Sequence, residues 1–581
     1  MDVLASLRDK IMSLVETLEN QEIISSGLNK DSITVETPKD DAFGDLSSNV
    51  ALVLSKQANS NPRELAKYFV DQLSKDHSIE SVEIAGPGFL NFRLKNKFWI
   101  DVVISILEAG VHFGIEKVGT GKSVNIEFVS ANPTGPLHVG HTRGAVFGDV
   151  LANLLNVAGY TVTREYYVND AGSQIDALAR SAFSRYQEAL GCPTSSEQNE
   201  YPGDYLRGVG EALKEKYGEQ LLCEEEASRL AQVKDFTVER MLNLIRKDLA
   251  DLGIVMDSFV SEKGLYAKGR VEDSINQLRD LGLIYTGVLE RPKGGNLQEW
   301  SVREQELFKS SQFGDDTDRP IKKADGSWTY FAPDIAYHYE KLTRKYDEII
   351  NIFGADHSGY IARMKAVVRA LSNGEQDLTI RLCQLVKLYK DGQPVKMSKR
   401  AGSYITLREL LNEVGKDAIR FLLLMRKNDA PIDFDFSKAI EQTRENPVFY
   451  VQYANARIFS ILRRATESNI DVSDASLLKA DLCLLKNENE LQAIRKLAEW
   501  PNVVAKATSR FEPHRIAFYL FEVAQLFHSL QSLGKIDQGL RFLREDDLNL
   551  TKARLAMIRS VQLVVQSGLK IFGIEPVDQM L

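Results

Sequence analysis

Between Val124 and Val168 the chain repeats a pattern that few folds accommodate. An apolar run, Val124-Asn125-Ile126-Glu127-Phe128-Val129, reads as a buried strand. A loop bearing proline and glycine, Ser130 to Leu137, leads into a helix from about His138 to Ala158, and Thr161 to Val168 is strand-like again. Strand, loop, helix, strand is a βαβ unit, so the two strands run parallel through a right-handed crossover. Sheets built this way bind ligands beyond the carboxyl ends of their strands. The loop after the first strand is therefore the place to look for chemistry.

On either side the pattern changes. Val3, Leu4, Leu7, Ile11, Leu14, Val15 and Leu18 share one helical face. Val82 to Ile84 and Phe89 to Leu94 read as strands around the turn Gly86-Pro87-Gly88, and Gly110 to Gly121 reads as a linker. Together they predict an N-terminal α+β domain over residues 1–118. An α/β domain over 119–445 follows, with a charged, mostly helical insertion at about 171–260. From about Asp417 onward the pattern is helical, and residues 446–581 predict an all-α bundle. There are no internal repeats.

Composition narrows the class. Of 581 residues, 44% are apolar and 26% charged, which excludes a disordered or fibrous chain. Lys plus Arg is 72 against 81 for Asp plus Glu, a net charge of −9, so a nucleic-acid surface has to be a local basic patch. The four cysteines lie at least 31 positions apart, without zinc-ribbon spacing, and fit a reducing compartment. Asp2, Asp9, Glu16 and Glu19 argue against a secretory or transit peptide, and no run of 18 apolar residues predicts a membrane span. The expectation is a cytoplasmic, multidomain protein.

Gly119-Thr120-Gly121-Lys122-Ser123 imitates the end of a phosphate-binding P-loop. The first glycine of that pattern is missing, because Glu116 stands there, and the segment precedes a strand instead of following one. The stronger signal is Ala131-Asn132-Pro133-Thr134-Gly135-Pro136-Leu137-His138-Val139-Gly140-His141. His138 and His141, three apart, share one face of a first helical turn, where backbone N–H groups and the helix dipole favour phosphate. Gly140 leaves room for an adenine ring near the backbone. With 8 His and 38 Gly in the chain, His-x-Gly-His arises by chance about 0.01 times. The second signal is Lys396-Met397-Ser398-Lys399-Arg400, a basic turn suited to gripping and releasing a polyphosphate. Alone it reads as a solvated loop, and it gains meaning beside the histidine helix.

The two motifs together resemble the signature pair of class I aminoacyl-tRNA synthetases. The rest of the chain resembles the arginyl-tRNA synthetase family. The matching stretches are Asp41 to Leu46, Ser130 to His141, Asn169-Asp170-Ala171-Gly172, Gly326 to His338, Gly354 to His357, Val395 to Gly402, Asp417 to Phe421, and Asn446 through Arg457. Arg400 departs from the general class pattern, where many members carry Ser. The resemblance implies an N-terminal domain touching the outer corner of tRNA, a Rossmann-type catalytic domain, and a C-terminal helical bundle that reads the anticodon.

It also implies the reaction. ATP, as its Mg2+ complex, activates L-arginine to arginyl-adenylate, and the arginyl group then passes to the terminal ribose of tRNA(Arg). Activation that requires tRNA is part of the same expectation, as is a monomer with no protein-held metal and no membrane association. The resemblance assigns His138, His141, Lys396 and Lys399 to catalysis, and Pro133, Gly135, Gly140, Met397 and Ser398, with the two histidines and Lys399, to ATP. It assigns Glu127, Asn132, Tyr330, Asp334, Asp356 and His357 to arginine, with Glu127, Tyr330 and Asp334 on the guanidinium. Tyr450, Tyr453 and Met580 would meet anticodon bases, and Arg457, Arg463 and Arg464 phosphate. Plainer readings stand beside these: Glu127 in a structural ion pair, Asp334 as a helix-start acid, Tyr330 and Tyr453 as core aromatics. A nucleotidylyltransferase shares the histidine helix but needs neither flanking domain. An RNA-binding scaffold without catalysis has no use for the histidines and lysines.

Overall fold

Five parallel strands carry the centre of the molecule. In the computed structural model, which describes residues 3–38, 40–58, 60–193, 201, 203–289, 303–395 and 405–580, they are β1 (Ser123–Glu127), β2 (Thr161–Val168), β3 (Ser258–Ser261), β4 (Glu348–Gly354) and β5 (Leu378–Cys383). Their order across the sheet is β5-β4-β1-β2-β3. The chain steps outward from β1 to β3, then returns to the other side of β1. The direction of winding therefore reverses between β1 and β4, and that switch point opens a crevice at the carboxyl ends of the strands. Three helices bear on it: α1 (Val139–Val157) after β1, α2 (Glu262–Ala267) directly after β3, and α3 (Phe331–Thr343) before β4.

The sheet belongs to a compact unit spanning Lys117–Glu441. The insertion is helical, with Ser173–Ala189, Tyr205–Tyr217 and Glu226–Asp251 closing a small core around Leu178, Tyr186, Leu206, Leu213 and Met241. Two features escape the periodicity of the sequence. Ile284–Val288, Glu304–Phe308 and Arg319–Pro320 form an antiparallel sheet. Ile432–Asp435 is a strand, parallel to Val386–Lys390, inside the stretch expected to be wholly helical. Four residues are too few to show a period against the helices around them.

The other unit joins Met1–Glu116 with Gln442–Leu581. Its N-terminal part holds an antiparallel sheet in the order Val35–Glu36, Leu46–Ser48, Phe89–Leu94, Ile79–Ala85. Its C-terminal part is a bundle built on the long helices Pro447–Glu467, His514–Ile536 and Leu548–Ile571. Asp45 and Arg495 link the two parts at 2.9 Å. The Trp500 indole donates to the carbonyl of Phe113, itself buried, at 3.0 Å. The stretch read as a linker from Gly110 is thus packed at its start, because Phe113 is buried and its carbonyl has a donor.

Candidate active site

The loop after β1 begins with a sharp change of direction. Val129 and Ser130 take φ of 68° and 41°, a left-handed region that costs energy for any residue with a Cβ, most of all a β-branched one. The Tyr166 hydroxyl then holds the Ala131 carbonyl at 2.7 Å, and Tyr205 holds that of Thr134 at 2.6 Å. Pro133 is buried, Gly135 half-buried and Asn132 exposed, its amide donating to Gln174 at 2.9 Å.

His138 caps α1 with its own ring: Nδ1 accepts the Gly140 N–H at 3.1 Å. His141 Nδ1 accepts the His138 N–H at 3.3 Å, and the two rings stack 3.9 Å apart. A ring whose Nδ1 accepts in this way carries its proton on Nε2 when it is neutral. A Cβ on Gly140 would lie 2.8 Å from His138 Cε1. A side chain at this position would press against the histidine ring folded over it.

Lys396, Met397, Ser398 and Lys399 lie outside the described residues. The chain on their far side meets the histidine helix directly. Val139 N–H donates to the Ile405 carbonyl at 3.2 Å, and Leu407 N–H to the Leu137 carbonyl at 2.8 Å. Two segments more than 250 positions apart are stitched together at the mouth of the switch point.

Glu127, Asn351 and Glu165 pair in one register across β4, β1 and β2. They form a buried polar row, and α3 lies over it. Lys341 Nζ, fully buried, donates to Glu127 Oε2 at 2.6 Å and to Asn351 Oδ1 at 2.9 Å. Ser130 Oγ occupies the other oxygen of Glu127 at 3.0 Å. Tyr337 donates to Glu165 at 2.8 Å, and Arg344 pairs with the same carboxylate. Burial alone would raise Glu165, but the Arg344 hydrogen bond and the charges of Lys341 and Arg344 hold it below the usual range. Burial and then the Lys341 charge lower His338 to about 4, so it is neutral, with Nδ1 donating to the Asp334 carbonyl and Nε2 accepting from Asn351. Each oxygen of Glu127 thus has a partner within the fold, Lys341 on Oε2 and Ser130 on Oε1.

Asp334, one to two turns earlier on α3, is treated differently. Among the described residues no side chain bonds its carboxylate. Burial first, then the charges of Glu262 and Glu127, push it up to about 8 against the pull of Arg363. Glu262 opens α2 and accepts the Tyr167 hydroxyl at 2.8 Å. Burial raises its carboxyl too, against that hydrogen bond and with the help of Asp170. Asp170, from the Asn-Asp-Ala-Gly stretch, positions α2 by accepting Ser261 Oγ at 2.6 Å and Lys263 N–H at 2.9 Å. Tyr330 is 72% exposed, with Lys323 Nζ 5.3 Å from its ring. Asp356 and His357, also exposed, pair at 3.6 Å just past β4.

Lys341 and Glu262 are absent from the sequence-based site. Each left a faint signal. Lys341 is two helical turns beyond Asp334, on the face that has to bury. Glu262 stands two residues after the apolar pair Phe259-Val260, directly past the end of a strand, as Glu127 stands at the end of one.

In the bundle, Tyr450 and Tyr453 project from Pro447–Glu467 onto the His528 ring, at 4.3 and 5.3 Å, and Phe449 stacks on Tyr453 at 5.7 Å. Arg457 lies over Tyr453 and bonds its hydroxyl. Asn455 and Gln452 of the same helix anchor the carbonyls of Val577 and Glu575, a few residues before Met580. Arg463 pairs with Glu467 at 3.9 Å.

Three family models match the chain: arginyl tRNA synthetase N terminal domain over residues 5–94, tRNA synthetases class I (R) catalytic domain over 102–444, and DALR anticodon binding domain over 451–580. The arginine–tRNA ligases of Ruegeria pomeroyi and Cereibacter sphaeroides are 52% and 53% identical over 580 residues, covering all of both chains. A solved structure of a putative arginyl-tRNA synthetase from Campylobacter jejuni superposes with a TM-score of 0.72 at 32% identity, over 84% of this chain and 100% of that one. The Thermus thermophilus arginyl-tRNA synthetase, 20% identical, shares the fold with a TM-score of 0.68 over 94% of this chain and 96% of its own.

Proposed function

The chain belongs to the arginyl-tRNA synthetase family of class I, and on that premise we propose how its own residues charge tRNA with arginine. It is a ligase: the arginine carboxylate attacks the α-phosphorus of ATP, the bond to the bridging oxygen breaks, and arginyl-adenylate and pyrophosphate form. A terminal ribose hydroxyl of tRNA(Arg) then takes the arginyl group and releases AMP. The attacking carboxylate is already charged, so the protein needs no nucleophile of its own. Its task is positioning and stabilising phosphate charge.

His138 and His141 present Nε2–H donors, at a helix N-terminus, to charge developing at phosphorus. Pro133, Gly135 and Gly140 shape the loop beneath the nucleotide. Lys396 and Lys399, with Met397 and Ser398, close over the triphosphate. Mg2+ arrives with ATP as a counterion of the substrate. Asn132 takes the arginine ammonium or carboxylate, and Asp356 and His357 the ammonium and ribose. Asp334 takes the guanidinium, with Tyr330 folding in at its side. Tyr450, Tyr453 and Met580 meet anticodon bases by stacking and apolar contact. The enzyme works as a cytoplasmic monomer; among the described residues no helix is long and apolar enough to cross a membrane.

One observation supports this reading above others: Leu137 and Val139 bond to Leu407 and Ile405, which brings the chain that follows the Lys396–Arg400 motif in sequence to the start of the histidine helix. Pyrophosphate exchange tests it, run with each amino acid, with and without tRNA. His138→Ala and His141→Ala should each slow exchange by about 10²–10³, the usual cost of losing one transition-state donor, with arginine KM unchanged. Wild-type exchange in both variants overturns the assignment.

A further inference from the structure

Val129 and Ser130 stand in succession at positive φ without being glycine. A strained pair persists only where its surroundings hold it, and such strain gathers where function needs a fixed direction. Here the surroundings are traceable. Ser130 N–H bonds the Phe128 carbonyl at 3.0 Å, its Oγ accepts the Tyr167 N–H at 3.1 Å, and the same Oγ donates to Glu127 Oε1 at 3.0 Å. Glu127 is held in turn by Lys341 at 2.6 Å. Lys341 is 0% exposed, yet it lies two contacts from Ser130, the first residue of the loop that ends in the His138 cap.

We propose that Lys341 is a positioning residue of the nucleotide site, acting through Glu127 and Ser130 to hold the strained turn from which the His138 loop departs. Its cation fixes Glu127 Oε2, which leaves Oε1 oriented toward the serine hydroxyl. The hydroxyl is thereby committed as a donor to Glu127 and an acceptor from Tyr167, and Ser130 has one orientation. Loss of any link lets the turn relax toward negative φ and moves everything up to His138. The inference rests on the reading that His138 acts on ATP. It changes the role of Glu127 from substrate ligand to one member of this clamp.

The experiment is arginine-dependent pyrophosphate exchange on the full-length enzyme with tRNA present, comparing Ser130→Ala, Glu127→Gln, Lys341→Met, Lys341→Arg and His138→Ala. Ser130→Ala leaves the buried ion pair in place and keeps the fold, so it is the decisive variant. It should lower kcat about tenfold while arginine KM stays within about threefold, as misplacement of a catalytic group does. Lys341→Met should fall further, and Lys341→Arg should recover most of the loss by restoring the cation. A Ser130→Ala kcat within threefold of wild type, alongside a crippled His138→Ala, overturns the clamp and leaves the nucleotide-site reading standing. A tenfold rise in arginine KM for Glu127→Gln at unchanged kcat also overturns it and returns Glu127 to the substrate. Normal exchange by His138→Ala defeats both readings.

Discussion

Glu127 and Asp334 stand at one edge of one sheet, and in the sequence they look like two halves of the same guanidinium fork. The fold separates them. Glu127 has a lysine of its own chain on one oxygen and a serine on the other. Asp334 faces Glu262 and Glu127, is driven up to about 8, and has only the influence of Arg363 in its favour. A buried charge that the chain itself neutralises belongs to the architecture, since removing its partner leaves an uncompensated ion. A carboxylate burdened by like charges is a poor structural element and a good receptor for a cation. Arginine, with five donors on a planar delocalised cation, is such a ligand.

The largest effects should show this contrast directly. Lys341→Met strands Glu127 in the interior and should cost about 3–5 kcal/mol of stability. Asp334→Asn removes an acid that prefers to be neutral and should not destabilise the free protein at pH 7. Thermal unfolding of the two variants side by side checks both, and equal losses would erase the distinction.

Asp334→Asn should instead fail with substrate. A bound guanidinium left short of a carboxylate loses about 3–5 kcal/mol, which at about 1.4 kcal/mol per decade is two to four decades in arginine use. Exchange assays with tRNA, next to an ATP titration that should not move, measure it. A change below about threefold would make Asp334 a helix-start acid and nothing more.

A pH series sharpens the comparison. Arginine binds the ionised form of Asp334, so binding below about pH 8 expels a proton. Affinity should then rise by up to about tenfold per unit from pH 6 toward 8 and level off above. In the free protein the sign reverses: a raised acid stabilises the fold fully below its ordinary value near 4, and that contribution disappears as pH rises through about 8. Calorimetric arginine titrations at four pH values decide the first point, and a flat profile would place the proton elsewhere.

The smallest effect concerns Glu262. Tyr167→Phe deletes one hydrogen bond to its carboxylate, worth about 0.5–1.5 kcal/mol, so arginine KM should rise by no more than about tenfold. No change at all would mean that Glu262 keeps its position through Asp170 and the start of α2 alone.

Much of this molecule was legible without coordinates. The βαβ unit is written in short-range patterns: an apolar run, a Pro/Gly loop, a helical period, and a second strand whose observed limits are those read from the sequence. The His-x-Gly-His cap is equally local, because its hydrogen bonds span only two and three residues. The short strand Ile432–Asp435 was not legible, since pairing with Val386–Lys390 creates it and nothing within its four residues announces it.

What the sequence determined by itself is the set of groups placed by their neighbours along the chain: the histidines on one helical turn, Asp334 at a helix start, Glu127 at a strand end. What only the tertiary structure decided is which charge meets which. Lys341 reaches Glu127 across 214 positions, and Asp170 sets Glu262 from more than 90 positions away. The sequence names Glu127 and Asp334 as two acids of one kind. Whether an acid is a pillar or a receptor depends on the dielectric and the partner within a few ångströms, and these depend on where distant segments pack.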